Sequence, residues 1–203
     1  MSAQSKLKQR WDARTTIEER RDEILRSFAA ILRERRLSSL KMQDIADRLG
    51  LVKGNLYYYF KSKRDILYHC HVKCMQASLA ALEDAERSGS TTAQRLRELL
   101  VRHIRGITED PYGGVLLTDL ENLSPAQRKR YVTMRDRFER GVRKLIQRGI
   151  ARGEFRPCNP RLAGFAMLGA VNWIPKWYRP DGALTSAEIA GAFADQFVRS
   201  LQP

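Results

Sequence analysis

Met42-Gln43-Asp44-Ile45-Ala46-Asp47-Arg48-Leu49-Gly50-Leu51-Val52-Lys53-Gly54-Asn55-Leu56-Tyr57-Tyr58-Tyr59-Phe60 holds two short helical patterns on either side of a glycine. Ile45, Ala46 and Leu49 recur at helical spacing, while Gln43, Asp47 and Arg48 fall on the other side. Gly50 stands where a helix C-terminus favours the left-handed conformation. A second short helix is predicted over Lys53–Tyr59. Two short helices joined by a tight turn containing glycine have the spacing of a helix–turn–helix. In that motif the second helix enters the major groove and presents its N-terminal residues to base edges. Lys53, Asn55, Tyr57 and Tyr59 are expected on its exposed side, with Leu56 and Tyr58 facing the core.

The pattern extends in both directions. Thr16 precedes Ile17-Glu18-Glu19 at capping-box spacing. Ile24, Leu25, Phe28, Ala29, Ile31 and Leu32 then carry a helix to about Arg36. Downstream, Ser62 caps a long helix from Lys63 to about Arg87. Ser88–Thr91 break the chain, and a helix follows to about Ile107. Asp110-Pro111 and Gly113-Gly114 mark a loop, and a short apolar helix is expected over Val115–Leu123. Ser124-Pro125 starts a basic helix that Gly153 ends. Pro160–Tyr178 is a strongly apolar helix with Pro175 near its end, and Ser186 begins a last helix to about Leu201. No stretch shows strand alternation. The fold class is all-α with about nine helices. A flexible basic arm (1–15) leads into a three-helix helix–turn–helix DNA-binding domain (16–65). A larger helical ligand-binding and dimerisation domain (66–203) follows.

The 203 residues carry a net charge of +14, which points to an anionic partner. Residues 1–65 hold 16 Lys/Arg against 9 Asp/Glu, so the front third has about twice the net charge density of the rest. A second basic stretch, Arg128 to Arg152, sets ten Lys/Arg against Asp136 and Glu139. Each stretch reads either as a solvated helix face or as a binding surface. The arm, with Lys6, Lys8, Arg10 and Arg14, is either a solubilising tail or a segment that follows the phosphates, joined by Arg20, Arg21 and Arg26 of the first helix.

Other classes are disfavoured. The longest apolar run, Leu162–Ile174, is interrupted by Gly164, Gly169 and Asn172 and is shorter than the ~18 residues a membrane span needs. The charged N-terminus lacks a secretory h-region, and three Cys imply no disulfide framework, so a cytoplasmic protein is expected. No nucleophile elbow, P-loop or dinucleotide fingerprint is present, so no catalytic residue and no cofactor is assigned. His69-Cys70-His71 and Cys74 invite a metal reading. One helix rarely closes a tetrahedral site, however, and a further ligand such as His103 or Cys158 would have to come from elsewhere. Buried small residues are the preferred reading, with no metal site.

Met42-Gln43-Asp44-Ile45-Ala46, Gly50, Gly54-Asn55-Leu56-Tyr57-Tyr58-Tyr59-Phe60 and Lys61-Ser62-Lys63-Arg64-Asp65-Ile66-Leu67 together resemble the N-terminal domain of the TetR family of bacterial transcriptional regulators. The resemblance covers about residues 15–70 without gaps. It implies that Lys53, Asn55, Tyr57 and Tyr59 meet DNA, with Met42 and Gln43 beside them. It also implies close backbone approach at Gly54 and a phosphate contact from Lys63, which helix-dipole logic supports. Asn55 departs from the Thr or Ser usual in the family. It either reads adenine or bonds a phosphate, so base preference stays open.

The resemblance further implies an all-helical ligand and dimer domain. A helix–turn–helix module reads a half-site, and two-fold dimers match palindromic operators. The last two helices are the candidate dimer face, through Phe165, Gly169, Phe193 and Phe197; the alternative is that both are simply core. Trp173, Lys176, Trp177 and Arg179 combine aromatic and cationic groups. Their segment is similar to that of TetR-type regulators of fatty-acid, aromatic and sterol degradation, which answer to coenzyme A thioesters. The four residues are candidate contacts to an acyl- or aryl-coenzyme A effector, or else an aromatic plug. An apolar pocket is expected among the helices of residues 68–155, with the basic helix supplying charge. The expected function is a dimeric repressor released from its operator by a small effector. The alternatives are a non-specific nucleic-acid-binding protein and a helical enzyme acting on a nucleotide-like substrate.

Overall fold

Thr16 starts the first helix by a reciprocal exchange. Its Oγ1 accepts from the Glu19 N–H at 3.2 Å, and the Glu19 carboxylate accepts from the Thr16 N–H at 2.7 Å. The computed structural model describes residues 16–88, 91–117 and 120–203, so the basic arm expected at 1–15 lies outside the described residues. From that cap runs α1 (Ile17–Glu34), followed by α2 (Met42–Leu49), α3 (Lys53–Tyr59) and α4 (Lys63–Arg87). Then come α5 (Thr92–Glu109), α6 (Pro125–Ala151), α7 (Pro160–Trp177) and α8 (Ser186–Leu201). Capping boxes at Thr91, Ser124 and Thr185 start α5, α6 and α8 in the same way. Each satisfies donors that a helix N-terminus otherwise leaves open. The chain is all-helical, with eight α-helices and no strand among the described residues.

The expected short helix over Val115–Leu123 is instead two 3-10 turns, Pro111–Leu117 and Leu120–Asn122. Gly113 explains the tight path. A Cβ there would lie 1.8 Å from the Ile107 carbonyl oxygen, so the chain doubles back hard against the end of α5. The turn still buries Tyr112 and Val115.

The turn between α2 and α3 forms at Gly50, whose φ of 66° lets its N–H reach the Ala46 and Asp47 carbonyls. α1, α2 and α3 close around Ile24, Phe28, Ile45, Leu56 and Phe60, all fully buried. Each such side chain contributes roughly 1.5–3 kcal/mol by leaving water. α4 packs on α1 and also on α5 and α6, so one helix serves both halves of the core. α8 lies along α5, and α7 lies across α5 and α6. After α6 the chain reverses at Gly153, and Phe155 folds back onto Gly149, where a Cβ would meet the ring at 2.1 Å. That reversal brings the Glu154 carboxylate to the Thr92 hydroxyl (2.9 Å) and the Ala93 N–H (3.0 Å) at the start of α5.

Lys63 departs from its expected role. Its ammonium donates to the carbonyls of Leu37 (2.9 Å) and Leu40 (2.7 Å), tying α4 to the turn that precedes α2. The physical reason is that these carbonyls end a 3-10 turn and lie within reach of the side chain, so the charge is engaged inside the chain. Lys63→Met is expected to lower stability by about 2 kcal/mol, the scale of hydrogen bonds to a charged group. Urea unfolding of the full chain should show a lower midpoint with unchanged slope.

Candidate nucleic-acid interface and effector cavity

The seven residues of α3 set the geometry of the helix–turn–helix, the candidate reading head. Leu56 and Phe60 are buried, and at 3.6 residues per turn Tyr59 shares their face. Tyr59 accordingly packs against the core, and Tyr58 is 72% exposed. The expectation for this pair is therefore reversed, because alternate residues do not share a helix face. Tyr57, Lys53, Gly54 and Asn55 are exposed as expected. The Lys53 ammonium lies 6.0 Å from the Tyr57 ring centre. A Cβ at Gly54 would meet nothing within 4 Å, so the chain's own packing does not require glycine there. On α2, Gln43 is exposed, with its amide donating to Asp47 at 2.7 Å. Met42, an expected DNA contact, is 8% exposed, because it shares the inward face of Ile45, Ala46 and Leu49.

Arg21, one of the basic residues of α1, has a specific structural role. Its guanidinium donates to the Tyr59 carbonyl at 2.6 Å, reaches His69 Nε2 at 3.3 Å and lies 4.3 Å from the Phe60 ring centre. It fixes the C-terminal end of α3 against α1 and α4. No local motif announces this, since its partners lie 38 and 48 residues away.

Asp22 joins the reading head to the rest of the chain. Its carboxylate binds the Tyr112 hydroxyl (3.0 Å), the Lys73 ammonium (3.1 Å) and Arg26 Nε (2.8 Å). Burial alone would raise its pKa, but the Lys73 and Tyr112 hydrogen bonds outweigh burial and hold the carboxyl below its ordinary value. Arg33 adds a bond to the Asp110 carbonyl at 2.9 Å. α1 is thus fastened both to α4 and to the turn at Pro111–Leu117.

A cavity of about 750 Å³ opens among α4, α5, α6 and α7. Its inner wall is built from buried Met75, Ser78, His103, Tyr131 and Phe138. Arg135, Arg140, Arg143 and Arg161 stand around it, with Asp136 and Glu139 interspersed. Arg143 and Arg135 approach Glu139 and Asp136 at 3.8 Å, whereas Arg140 and Arg161 enter no ion pair among the described residues. Arg161 lies 5.3 Å from the Phe165 ring centre. The arrangement suits a ligand with an apolar part and an anionic part.

Trp173, Lys176, Trp177 and Arg179 do not line this cavity. Trp173 is 61% exposed, with the Lys176 ammonium 5.9 Å from its ring centre. Trp177 stacks on Phe193 at 6.2 Å, and Arg179 donates to the Tyr178 carbonyl at the end of α7. These side chains leave α7 on its outer side, because Val171 and Ile174 occupy the inner one. Leu162, Phe165, Trp173 and Trp177 form an exposed apolar stripe along α7. Gly169 is exposed on the same helix, and Phe193 and Phe197 are half-buried on α8. Phe165 and Gly169 border the cavity as well as the outer face.

The thiols of Cys70 and Cys74 are buried, and burial pushes both pKa values up, so neither is primed as a thiolate. No group of three or more metal-binding side chains occurs among the described residues. Nor is any described helix long and apolar enough to cross a membrane.

Family models match both halves of the chain. "Tetracyclin repressor-like, C-terminal domain" covers residues 89–201, and "Bacterial regulatory proteins, tetR family" covers residues 24–70. The chain belongs to the TetR family. PfmR of Thermus thermophilus, a TetR-family regulator, is 34% identical with a TM-score of 0.82, over 89% of this chain and 99% of that one. The transcriptional repressor KstR2 of Mycobacterium tuberculosis (strain H37Rv) is 27% identical over 176 residues, 85% of this chain and 88% of that protein. AibR, solved with isovaleryl coenzyme A and operator DNA, shares the fold with a TM-score of 0.78 at 24% identity, over 91% of this chain and 99% of that one. Membership of the TetR family makes this chain a transcriptional regulator and sets the enzyme reading aside.

Two buried histidines of this regulator give it an acid sensitivity. Burial lowers the pKa of His71 and of His103 from 6.5 to about 4. Both are neutral in the folded chain and take up protons on unfolding between those values. Their contribution is full above pH 6.5 and is lost as the pH falls toward 4. The expected loss is about 3 kcal/mol per histidine. Urea midpoints measured from pH 7 to 4 should fall accordingly, and His71→Phe should flatten part of the slope.

Proposed function

We propose that this TetR-family protein is a cytoplasmic, dimeric transcriptional repressor released from a palindromic operator by an acyl- or aryl-coenzyme A thioester. The observation that carries the effector class is the cavity, with an apolar inner wall and four arginines around it. Coenzyme A brings several phosphates to such a rim, and its acyl or aryl group fills the inner space. A volume of about 750 Å³ is in the range of small-molecule sites.

The DNA contacts are assigned to Gln43, Lys53, Gly54, Asn55 and Tyr57, with Tyr58 taking the place of Tyr59. Their exposure supports this, and so does the open space at Gly54, which leaves room for a DNA backbone. Residues 16–65 form the reading head and residues 66–203 the responding domain. The dimer is assigned to the outer faces of α7 and α8, where Leu162, Phe165, Trp173 and Trp177 remain exposed. An apolar stripe of this kind on a protein surface is a typical self-association face. Two copies place two α3 helices in successive major grooves. The effector shifts the spacing of the heads through α4, for which a coupling of ~1–3 kcal/mol suffices.

Fluorescence polarisation tests the reading directly. The full chain is titrated onto DNA from upstream of its own coding region and onto scrambled DNA at physiological salt. Selective binding released by one thioester is expected. Equal operator affinity with and without saturating thioester would sink the effector assignment. Equal affinity for scrambled DNA would favour a non-specific nucleic-acid-binding protein. Lys53→Ala and Tyr57→Ala should each abolish operator binding while sedimentation still shows a dimer.

A further inference from the structure

His103 is a feature of the cavity's inner wall that apolar packing does not explain. It projects from α5 into the inner wall and is 5% exposed. The Phe138 ring holds it in place, with centroids 4.8 Å apart. Neither ring nitrogen has a partner at full hydrogen-bonding geometry; the Asn172 side chain of α7 is near enough to favour the protonated ring, an effect that burial outweighs. A neutral imidazole has one N–H and one lone pair, and both need a partner. Such groups are rarely left unmet in a packed interior. The Ser78 hydroxyl, which also lines the cavity, donates to the Cys74 carbonyl at 3.1 Å and makes no hydrogen bond to the ring. A chain that needed only an apolar wall here would be better served by Leu or Phe, which carry no such cost.

We propose that His103 is the specificity-determining residue of the cavity, and that it selects an effector whose acyl group carries a hydroxyl or keto oxygen over one with a plain hydrocarbon chain. This rests on the coenzyme A thioester reading above and adds the chemistry of the acyl part. A hydroxyl both donates and accepts, so it can pair with either nitrogen in either tautomer; a keto oxygen takes the N–H alone. A saturated chain fills the same volume and leaves the imidazole without a partner. A site built around a polar group discriminates strongly against ligands that lack its complement.

Calorimetric titration of the full chain with free coenzyme A, octanoyl-, 3-hydroxyoctanoyl-, 8-hydroxyoctanoyl- and 3-oxooctanoyl-coenzyme A tests this. At least one oxygenated thioester is expected to bind tenfold or more tightly than octanoyl-coenzyme A. His103→Phe is expected to abolish or reverse that preference while leaving the affinity for free coenzyme A unchanged. Octanoyl-coenzyme A binding as tightly as every oxygenated thioester overturns the proposal and leaves the thioester reading intact. Persistence of the preference in His103→Phe does the same. Failure of all five ligands to bind overturns the thioester reading and this proposal with it. Should His103→Phe not fold, the side-chain ¹⁵N shifts of His103 in the unmodified chain decide. They move with the preferred oxygenated ligand and not with octanoyl-coenzyme A, or the proposal falls.

Discussion

The structure depends on α4 being one unbroken helix. Lys63 through Arg87 span about 37 Å at the usual rise of 1.5 Å per residue. Near its start, Lys63 secures the turn before α2, and Cys70 Sγ reaches the Leu25 carbonyl of α1 at 3.6 Å. A turn further on, Lys73 grips Asp22, while Met75 and Ser78 already line the cavity. A contact to the reading head and a wall of the proposed effector site therefore fall within about one helical turn of each other. A stiff helix has no hinge between those points, so displacement at one is carried to the other. Asp22 adds a second tie through Tyr112, on the turn that follows α5.

α3 shows how little of a reading head is intrinsic. Seven residues are too few to hold a helix alone in water. Leu56 and Phe60 anchor it from below, and Arg21 closes it by taking the Tyr59 carbonyl. The exposed residues are free of packing duties as a result. Val52, Lys53, Gly54, Asn55, Tyr57 and Tyr58 all face outward from a platform that other elements stabilise.

The cavity divides its chemistry by depth. Arginines on α6 and α7 stand where solvent still reaches them, and the buried residues of α4, α5 and α6 form the apolar interior. His103 brings an ionisable ring into that interior, and the ring remains neutral because burial disfavours the charged form.

Local spacing along the chain is enough to fix the helix ends. Thr16–Glu19, Ser62, Ser124-Pro125 and Gly50 mark helix ends through bonds among near neighbours, so α1, α4 and α6 begin where their caps say, and α2 ends at Gly50. The run from Met42 to Phe60 identified the reading head for the same reason. Tertiary structure decided what depends on which face meets which neighbour. It turned Met42 and Tyr59 inward, engaged Lys63 on carbonyls 23 and 26 residues away, and put Arg21 against the end of α3. It also opened a candidate cavity whose residues span Met75 to Asn172 and do not include Trp173, Lys176, Trp177 or Arg179. Aromatic and cationic groups beside each other in sequence point outward from α7, while Met75, His103 and Arg140 meet only because four helices pack. Caps and turns are short-range bonds that a sequence displays; a cavity is the space left between packed elements, and no segment contains it.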